Sequence, residues 1–215
     1  MRFFFLGERL AVDLLNTVVV QDGRLQDLLA DSRDVAVWAE AAGVLPRGAL
    51  RGSAAGQDPE RLRRFRETLR RGLVAWAMGG THPRGLIALL NHHLARDPEV
   101  SEVTASRGKV VTRRRRAGGP LARVYGAVAR SAAELLAGAD PRRLRNCANP
   151  RCRLMFYDVS KAGRRRWCSM RTCGGRAKVR AFYRRRRHGA RRATGSQQRS
   201  LAPIVVEARP LVRGA

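Results

Sequence analysis

Apolar residues recur at helical spacing along most of the first 140 residues, which predicts a mainly helical N-terminal region. Between residues 59 and 78, for example, Leu62, Phe65 and Leu69 share one face of a helix, and the remaining surface is rich in arginine. Such an arginine-rich face is typical of solvated surface. The predicted elements are a buried helix or a helix-to-strand start at 9–20, one or two amphipathic helices at 25–42 with Asp34 opening the second, and helices at 59–78 (with Asp58 as N-cap), 86–94 and 121–136.

The hydrophobic period changes from helical to alternating between residues 100 and 112. Val103 and Val110 flank the segment Ser106-Arg107-Gly108-Lys109, and a glycine-containing turn between two β-branched runs predicts a β-hairpin. Four arginines follow, Arg113 to Arg116, and we interpret them as a basic connection to the next helix. The fold class expected for residues 1–139 is therefore mainly α with a small β-hairpin, an α+β arrangement.

Basic residues are concentrated towards the C-terminal part of the chain. The net charge is +27, and 19 of the 44 Lys and Arg residues lie between positions 142 and 192, where Asp158 is the sole acid. A local excess of this size indicates polyanion binding rather than general solubility. Arginine also suits phosphate groups and guanine edges. Nucleic acid is accordingly the expected partner.

The N-terminal sequence does not have the pattern of a membrane anchor or a secretion signal. No apolar run approaches the 18 or so residues that a spanning helix needs. Glu8, Arg9 and Asp13 interrupt the apolar start, and no small-residue cleavage site follows. We therefore expect a cytoplasmic protein with no membrane partner.

All four cysteines fall in one segment as two pairs. Four residues separate Cys147 from Cys152, fifteen follow, and four separate Cys168 from Cys173. Two closely spaced thiol pairs on either side of one loop are typical of a tetrahedral four-thiolate zinc site, which is structural because no position is left for water. Two disulfides or four unrelated thiols are the alternatives, and a reducing compartment favours the metal.

The residues around the cysteines predict a small ββα-like finger over residues 140–187. A strand after Cys152 is expected to turn at Ser160–Gly163 and return through Arg166-Trp167-Cys168. A helix from Arg176 to about Arg187 then completes the finger. Residues 188–215 carry no periodicity and are interpreted as a disordered basic tail.

Several short motifs in this segment closely resemble the CGNR zinc finger family. They are Cys147-Ala-Asn-Pro-Arg-Cys152, Phe156, Asp158-Val-Ser160, Arg166-Trp-Cys-Ser-Met170 and Cys173-Gly-Gly-Arg176-Ala-Lys178. The signature differs at one position, since Gly175 stands where the family has asparagine. Upstream, Leu10-Ala-Val-Asp-Leu-Leu-Asn-Thr17 resembles the opening of the ABATE domain, which commonly precedes this finger.

The resemblance implies a bacterial transcription regulator with an N-terminal sensing or assembly domain and a finger that binds double-stranded DNA. A homodimer and an unknown small-molecule effector both stay open at this stage. From the residues themselves, the side chains expected to contact nucleic acid are Arg164, Arg165, Arg166, Arg171, Arg176, Lys178, Arg180 and Arg184.

An RNA- or ribosome-associated zinc protein is the alternative reading of the same cationic segment. Phe156, Trp167, Phe182 and Tyr183 could stack on unpaired bases, although we favour a core role for them because a small module needs its large apolar side chains.

Enzymatic activity is not expected from the sequence. No nucleophile motif, phosphate loop or paired set of acids occurs. His82 and His188 are isolated, and the adjacent His92 and His93 project about 100° apart on a helix, so they cannot easily share a metal. In the N-terminal region Asp13 and Asn16 could face a pocket or cap a neighbouring turn, and we favour the second.

Overall fold

The computed structural model describes residues 3–50, 59–79 and 84–198, with side chains up to residue 186. It divides into two compact units, Met1–Gly174 and Gly175–Ala215. The predicted N-cap Asp58, His82 and the end of the predicted tail from residue 199 lie outside the described residues. The proposed division into domains at residues 139/140 and 187/188 stays a prediction.

Five α-helices lie in the described part of the first unit, and they confirm the mainly helical fold class. The longest two are amphipathic and have buried stripes at helical spacing, as the sequence predicts. Asp31 caps the second helix through a reciprocal capping box with Asp34, so the helix begins earlier than expected. The helices are α1 (Leu10–Leu15), α2 (Ser32–Ala41), α3 (Pro59–Ala77), α4 (Arg84–Ala95) and α5 (Pro120–Gly138).

The main core lies among these helices. Short α1 packs against both long helices, α3 and α5, while α4 packs mainly against α5. Leu14, Leu69, Val128 and Leu135 are fully buried, and Trp38 of α2 is the largest fully buried side chain in this core. Burial of this much aliphatic and aromatic surface is the main source of stability of the unit.

An N-terminal β-hairpin replaces part of the helix predicted for residues 25–42. β1 (Val18–Gln21) pairs antiparallel with β2 (Arg24–Asp27). The connecting residues Asp22 and Gly23 both have positive φ angles, as a tight hairpin turn requires. The helical interpretation was wrong here because Leu25 and Leu28 happen to fit a helical period.

The second hairpin is confirmed and is longer than predicted. β3 (Glu99–Ser106) pairs with β4 (Lys109–Arg116) through a turn at Arg107 and Gly108, which also have positive φ angles. Arg113 to Arg116 therefore belong to a strand rather than to a connection. Glu99 accepts hydrogen bonds from Arg114 and Arg116, and this cross-strand pairing offsets the repulsion within the arginine run.

Residues 140–174 pack onto the N-terminal helices within the first unit. β5 (Leu144–Asn146) pairs with β6 (Met155–Tyr157), and β6 lies against α1. The Asn16 side chain donates to the Met155 carbonyl and accepts from the Met155 N–H, at 2.9 and 2.8 Å. The predicted pairing of the strand after Cys152 with Arg166-Trp167-Cys168 was therefore wrong, because β6 takes its partner from before Cys147.

The second unit contains one long helix, α6 (Gly175–Gln198). It continues past the predicted end near Arg187, so residues 188–198 of the predicted disordered tail are helical. Across the described parts of the chain, no helix has both the length and the apolarity that a bilayer crossing demands.

Candidate metal centre

The four cysteine Sγ atoms converge, with every pair within 4.8 Å. Cys168 Sγ lies 3.8 Å from Cys152 Sγ and 3.7 Å from Cys173 Sγ. In a tetrahedron with zinc–sulfur bonds of about 2.3 Å, sulfur atoms are about 3.8 Å apart. All four residues are free thiols, so the disulfide alternative fails. The donor set and its spacing fit one structural zinc ion.

Short backbone turns place each pair of ligands. Cys147 directly follows β5, and its N–H donates to the Leu154 carbonyl at 2.9 Å, which continues the β5–β6 pairing. The Cys152 N–H donates to the Asn149 carbonyl at 2.8 Å and closes the first loop. In the second pair, Cys173 lies in a wide helical turn, Met170–Gly174, whose Gly174 N–H donates to the Ser169 carbonyl.

The second residue of the Cys-Gly-Gly-Arg signature is closely surrounded by side chains. A Cβ atom on Gly174 would lie 2.7 Å from the Met170 sulfur and 3.1 Å from the Trp167 ring. A larger residue would therefore displace the exposed Met170 side chain and crowd the Trp167 ring. Gly175, the position that departs from the family signature, begins α6.

Side-chain and backbone N–H groups point at the sulfurs. The buried Asn149 amide donates to Cys173 Sγ at 3.3 Å, and the Cys168 backbone N–H donates to Cys147 Sγ at 3.4 Å. Such donors stabilise thiolate charge and orient metal ligands. The role of Asn149 was missed from the sequence, although an asparagine between two ligands and before proline is a signal for a side-chain-capped turn.

The thiols influence one another's ionisation. The hydrogen bond between Cys168 and Cys152 lowers the pKa of the Cys152 thiol to about 5 and, together with burial, raises the pKa of the Cys168 thiol. Burial likewise raises the pKa of the Cys147 thiol. Four thiolates this close can coexist only if a cation neutralises them, which zinc does when bound.

A buried carboxylate holds the loop between the two cysteine pairs. Asp158 accepts hydrogen bonds from the Ser160 N–H and hydroxyl and from the Arg165 N–H, at 2.6–2.9 Å. Although burial opposes its ionisation, these hydrogen bonds hold the pKa of Asp158 below its usual value. The carboxylate of the sole acid in the basic segment therefore makes its hydrogen bonds within the fold.

Arg165 has a structural position that the sequence did not indicate. Its guanidinium lies 4.5 Å from the centre of the Phe156 ring, donates to the Trp167 and Cys168 carbonyls, and pairs with Glu8 at 2.7 Å. These contacts hold the backbone at a zinc ligand.

The other predicted nucleic-acid contacts are exposed side chains. Arg166 lies over the Trp167 ring. Those in the first unit are Arg164, Arg166 and Arg171, and those on α6 are Arg176, Lys178, Arg180 and Arg184.

The four aromatic residues of the segment divide into two groups. Phe156 is fully buried and Trp167 is half-buried beside the cysteines, as expected for core residues. Phe182 and Tyr183 are exposed on α6, where their rings contact each other and Arg186 lies near the Phe182 ring. A core role is therefore wrong for Phe182 and Tyr183.

Asp13 and Asn16 both have partners within the fold. Asn16 holds the β6 backbone, as described above. Asp13 accepts from the Gly7 N–H at 2.7 Å, which is the turn contact favoured from the sequence. Burial raises the pKa of Asp13 to about 6 despite this hydrogen bond. A ligand pocket at these two residues stays a prediction.

The raised pKa of Asp13 predicts a pH-dependent contribution to stability. Because the folded state binds this proton more tightly than the unfolded chain, the contribution is present at low pH and lost as pH rises through about 6. Asp13→Asn keeps an oxygen acceptor for Gly7 and removes the titration. Between about pH 5 and pH 7.5 the free energy of unfolding of the wild type should fall by about 1 kcal/mol relative to this variant.

Urea unfolding of both proteins at the two pH values measures this difference. Asp22→Asn, at an exposed turn, controls for the loss of one negative charge. If the difference in free energy of unfolding between the Asp13→Asn variant and the wild type is the same at both pH values, the prediction is wrong.

Two protein-family models match the chain. One, described as "CGNR zinc finger", matches residues 143–186, and the other, ABATE, described as "Putative stress-induced transcription regulator", matches residues 8–139. Neither description is that of an enzyme. A search of curated proteins found no match. The order of the two matches is the one inferred from the motifs.

Proposed function

We propose that this chain, which belongs to the ABATE family and carries a CGNR zinc finger, is a zinc-dependent, DNA-binding transcription regulator. In this proposal the finger binds double-stranded DNA, and the N-terminal region acts in sensing or assembly.

The observation that carries the proposal is the row of exposed cations on α6. Arg176, Arg180 and Arg184 follow one another at four-residue intervals, so they form a stripe about 12 Å long on one side of the helix. Lys178 adds a charge on another side. A helix of this kind fits the major groove, where arginine reads guanine edges and both residue types pair with phosphates.

The charge balance of the finger supports a polyanionic partner. Between residues 142 and 192 the single acid, Asp158, is buried and hydrogen-bonded, so no carboxylate of this segment competes for the exposed arginines. Zinc takes no part in reading DNA here. It holds the two cysteine loops together, and its removal would release the segment that precedes α6.

RNA binding is the second candidate, and the exposure of Phe182 and Tyr183 favours it. Aromatic side chains beside arginines are the usual means of stacking unpaired bases. Duplex DNA is preferred because the cations form a regular helical stripe.

The cysteines bear on the cellular compartment in which the protein acts. A reduced four-cysteine site suits the cytoplasm, where we propose that the protein acts. A homodimer would double the number of DNA contacts and place two helices on successive half-sites.

Selection from random DNA duplexes at physiological salt, followed by competition, tests the function. We expect one duplex sequence to emerge and to outcompete both random duplex and structured RNA for the zinc-loaded protein, by about 1,000-fold or more over random duplex. Equal competition by structured RNA would favour the RNA-binding alternative. If no duplex sequence is enriched, the proposal of sequence-specific regulation is wrong.

A further inference from the structure

An open cleft of about 550 Å³ lies among the N-terminal helices, and none of the four cysteines lines it. It is lined by residues of α3 and α4, the residue following α4, and the start of α5. Its volume is within the range of small-molecule sites, about 300–1,000 Å³.

Three rings from three helices form the apolar wall of the cleft. His93 of α4 and Tyr125 of α5 are stacked, with ring centres 4.6 Å apart and planes inclined by 11°. Phe65 of α3 meets both rings edge-on, at 4.7 and 5.3 Å. A flat ligand can extend such a set of stacked and edge-on rings.

His93 contributes a neutral ring to this wall. Burial lowers its pKa to about 4, and the neighbouring basic groups His92, Arg96 and Arg61 act in the same direction. The imidazole is therefore uncharged at neutral pH, and Arg61 and Arg96, which contribute to the lower pKa, lie at the rim of the cleft.

The rim carries three exposed guanidinium groups. Arg61 and Arg64 project from successive turns of α3, and Arg96 follows α4, where it contacts the His92 ring nitrogen at 2.8 Å. Arg64 also pairs with Glu60 on its own helix. Among the described residues that line the cleft, none is acidic. The arginine-rich surface of α3, expected to be simple solvated surface, thus lies in part beside an aromatic wall.

We propose that this cleft binds a small planar aromatic carboxylate. The ring system stacks on the aromatic wall, and the carboxylate receives hydrogen bonds from the rim arginines, whose planar forks match its geometry. The observation that carries the proposal is the combination of three converging rings with three cations and no lining acid. Neither the zinc site nor α6 contributes to it, so the inference is independent of DNA binding.

Calorimetric titration of the zinc-loaded full-length protein with 2-naphthoate tests the proposal. The uncharged isostere 2-naphthamide and the ring-free anion acetate separate the two halves of the interaction. We expect one site per chain, with 2-naphthoate bound at least tenfold more tightly than either compound, because a hydrogen bond to a charged group adds about 1.5 kcal/mol or more.

The double variant Arg61→Gln and Arg96→Gln should weaken 2-naphthoate binding at least tenfold without lowering thermal stability, since both side chains are exposed. The matched control, Arg33→Gln and Arg84→Gln, removes two exposed arginines from other helix positions and should leave the affinity within twofold. Equal binding of 2-naphthamide, or an equal loss in the control, would overturn the proposal. Because no nucleic acid is present, neither result depends on the DNA-binding function.

Discussion

Replacing Cys168 by serine should abolish stoichiometric zinc binding. Cys168 is buried, and its sulfur lies 3.7–3.8 Å from those of Cys152 and Cys173, so it occupies a central position in the ligand set. A neutral hydroxyl replaces a thiolate ligand and leaves three thiolates to share the ion. Structural zinc contributes about 10–16 kcal/mol in comparable small modules, and loss of even part of this exceeds the margin that keeps a domain folded.

Metal analysis of purified protein and cobalt(II) substitution measure the outcome. The wild type should contain one zinc per chain and give the visible absorption of a tetrahedral cobalt–thiolate centre, and Cys168→Ser should show neither. Thr172→Ser, an exposed change within the same loop, is the matched control and should retain the metal. One full equivalent of tightly bound zinc in the cysteine variant would disprove the four-thiolate assignment.

The same substitution should also weaken the N-terminal fold. Cys147, Cys168 and Cys173 belong to a small core that includes Val19 of β1 and Leu28, which directly follows β2. Release of the metal therefore loosens packing far from the cysteines in sequence. Thermal unfolding of the zinc-loaded and chelated wild type should show one shared transition at lower temperature after chelation.

Neutralising four exposed cations of α6 should lower duplex DNA affinity by about 100-fold or more at moderate salt. The variant replaces Arg176, Lys178, Arg180 and Arg184 by glutamine, which keeps helix propensity. Each lost phosphate contact removes about one released counterion, so the slope of log affinity against log salt should become shallower by about 3–4.

Fluorescence anisotropy over a series of salt concentrations gives both quantities. The control variant replaces Arg24, Arg33, Arg107 and Lys109 by glutamine. It also removes three arginines and one lysine, all from exposed positions in the N-terminal region. It should retain the slope and lose affinity by less than about fivefold. If both variants show the same loss of affinity and the same decrease in the slope of log affinity against log salt, binding reflects net charge alone and α6 is not the contact surface.

The sequence predicted best what depends on local periodicity and on ligand spacing. The stripes of α3 and α5 and the two cysteine pairs could be located because each involves residues within a few positions of one another. The β1–β2 hairpin was missed since Leu25 and Leu28 also satisfy a helical period, and Arg113–Arg116 lack the alternation of a strand.

Contacts between distant segments could not be predicted. Arg165 was expected on a DNA-binding surface, yet its partners include Glu8 at the other end of the chain. Strands of three residues, such as β5 and β6, carry too few positions for a periodic signal. The rings of Phe65, His93 and Tyr125 come together only when three helices pack, so no sequence motif indicates the cleft.

The clasp between Asn16 and the backbone of Met155 has an evolutionary consequence. An amide that satisfies both the N–H and the C=O of one β6 residue leaves two buried polar groups unpaired when either segment is exchanged for an unrelated one. A recombination event that moved the finger alone to another protein would incur that cost at once. The two segments should therefore be inherited as a pair. Chimaeras that exchange the finger at residue 140 should recover the stability of the parent protein only when the recipient supplies an asparagine at the position of Asn16.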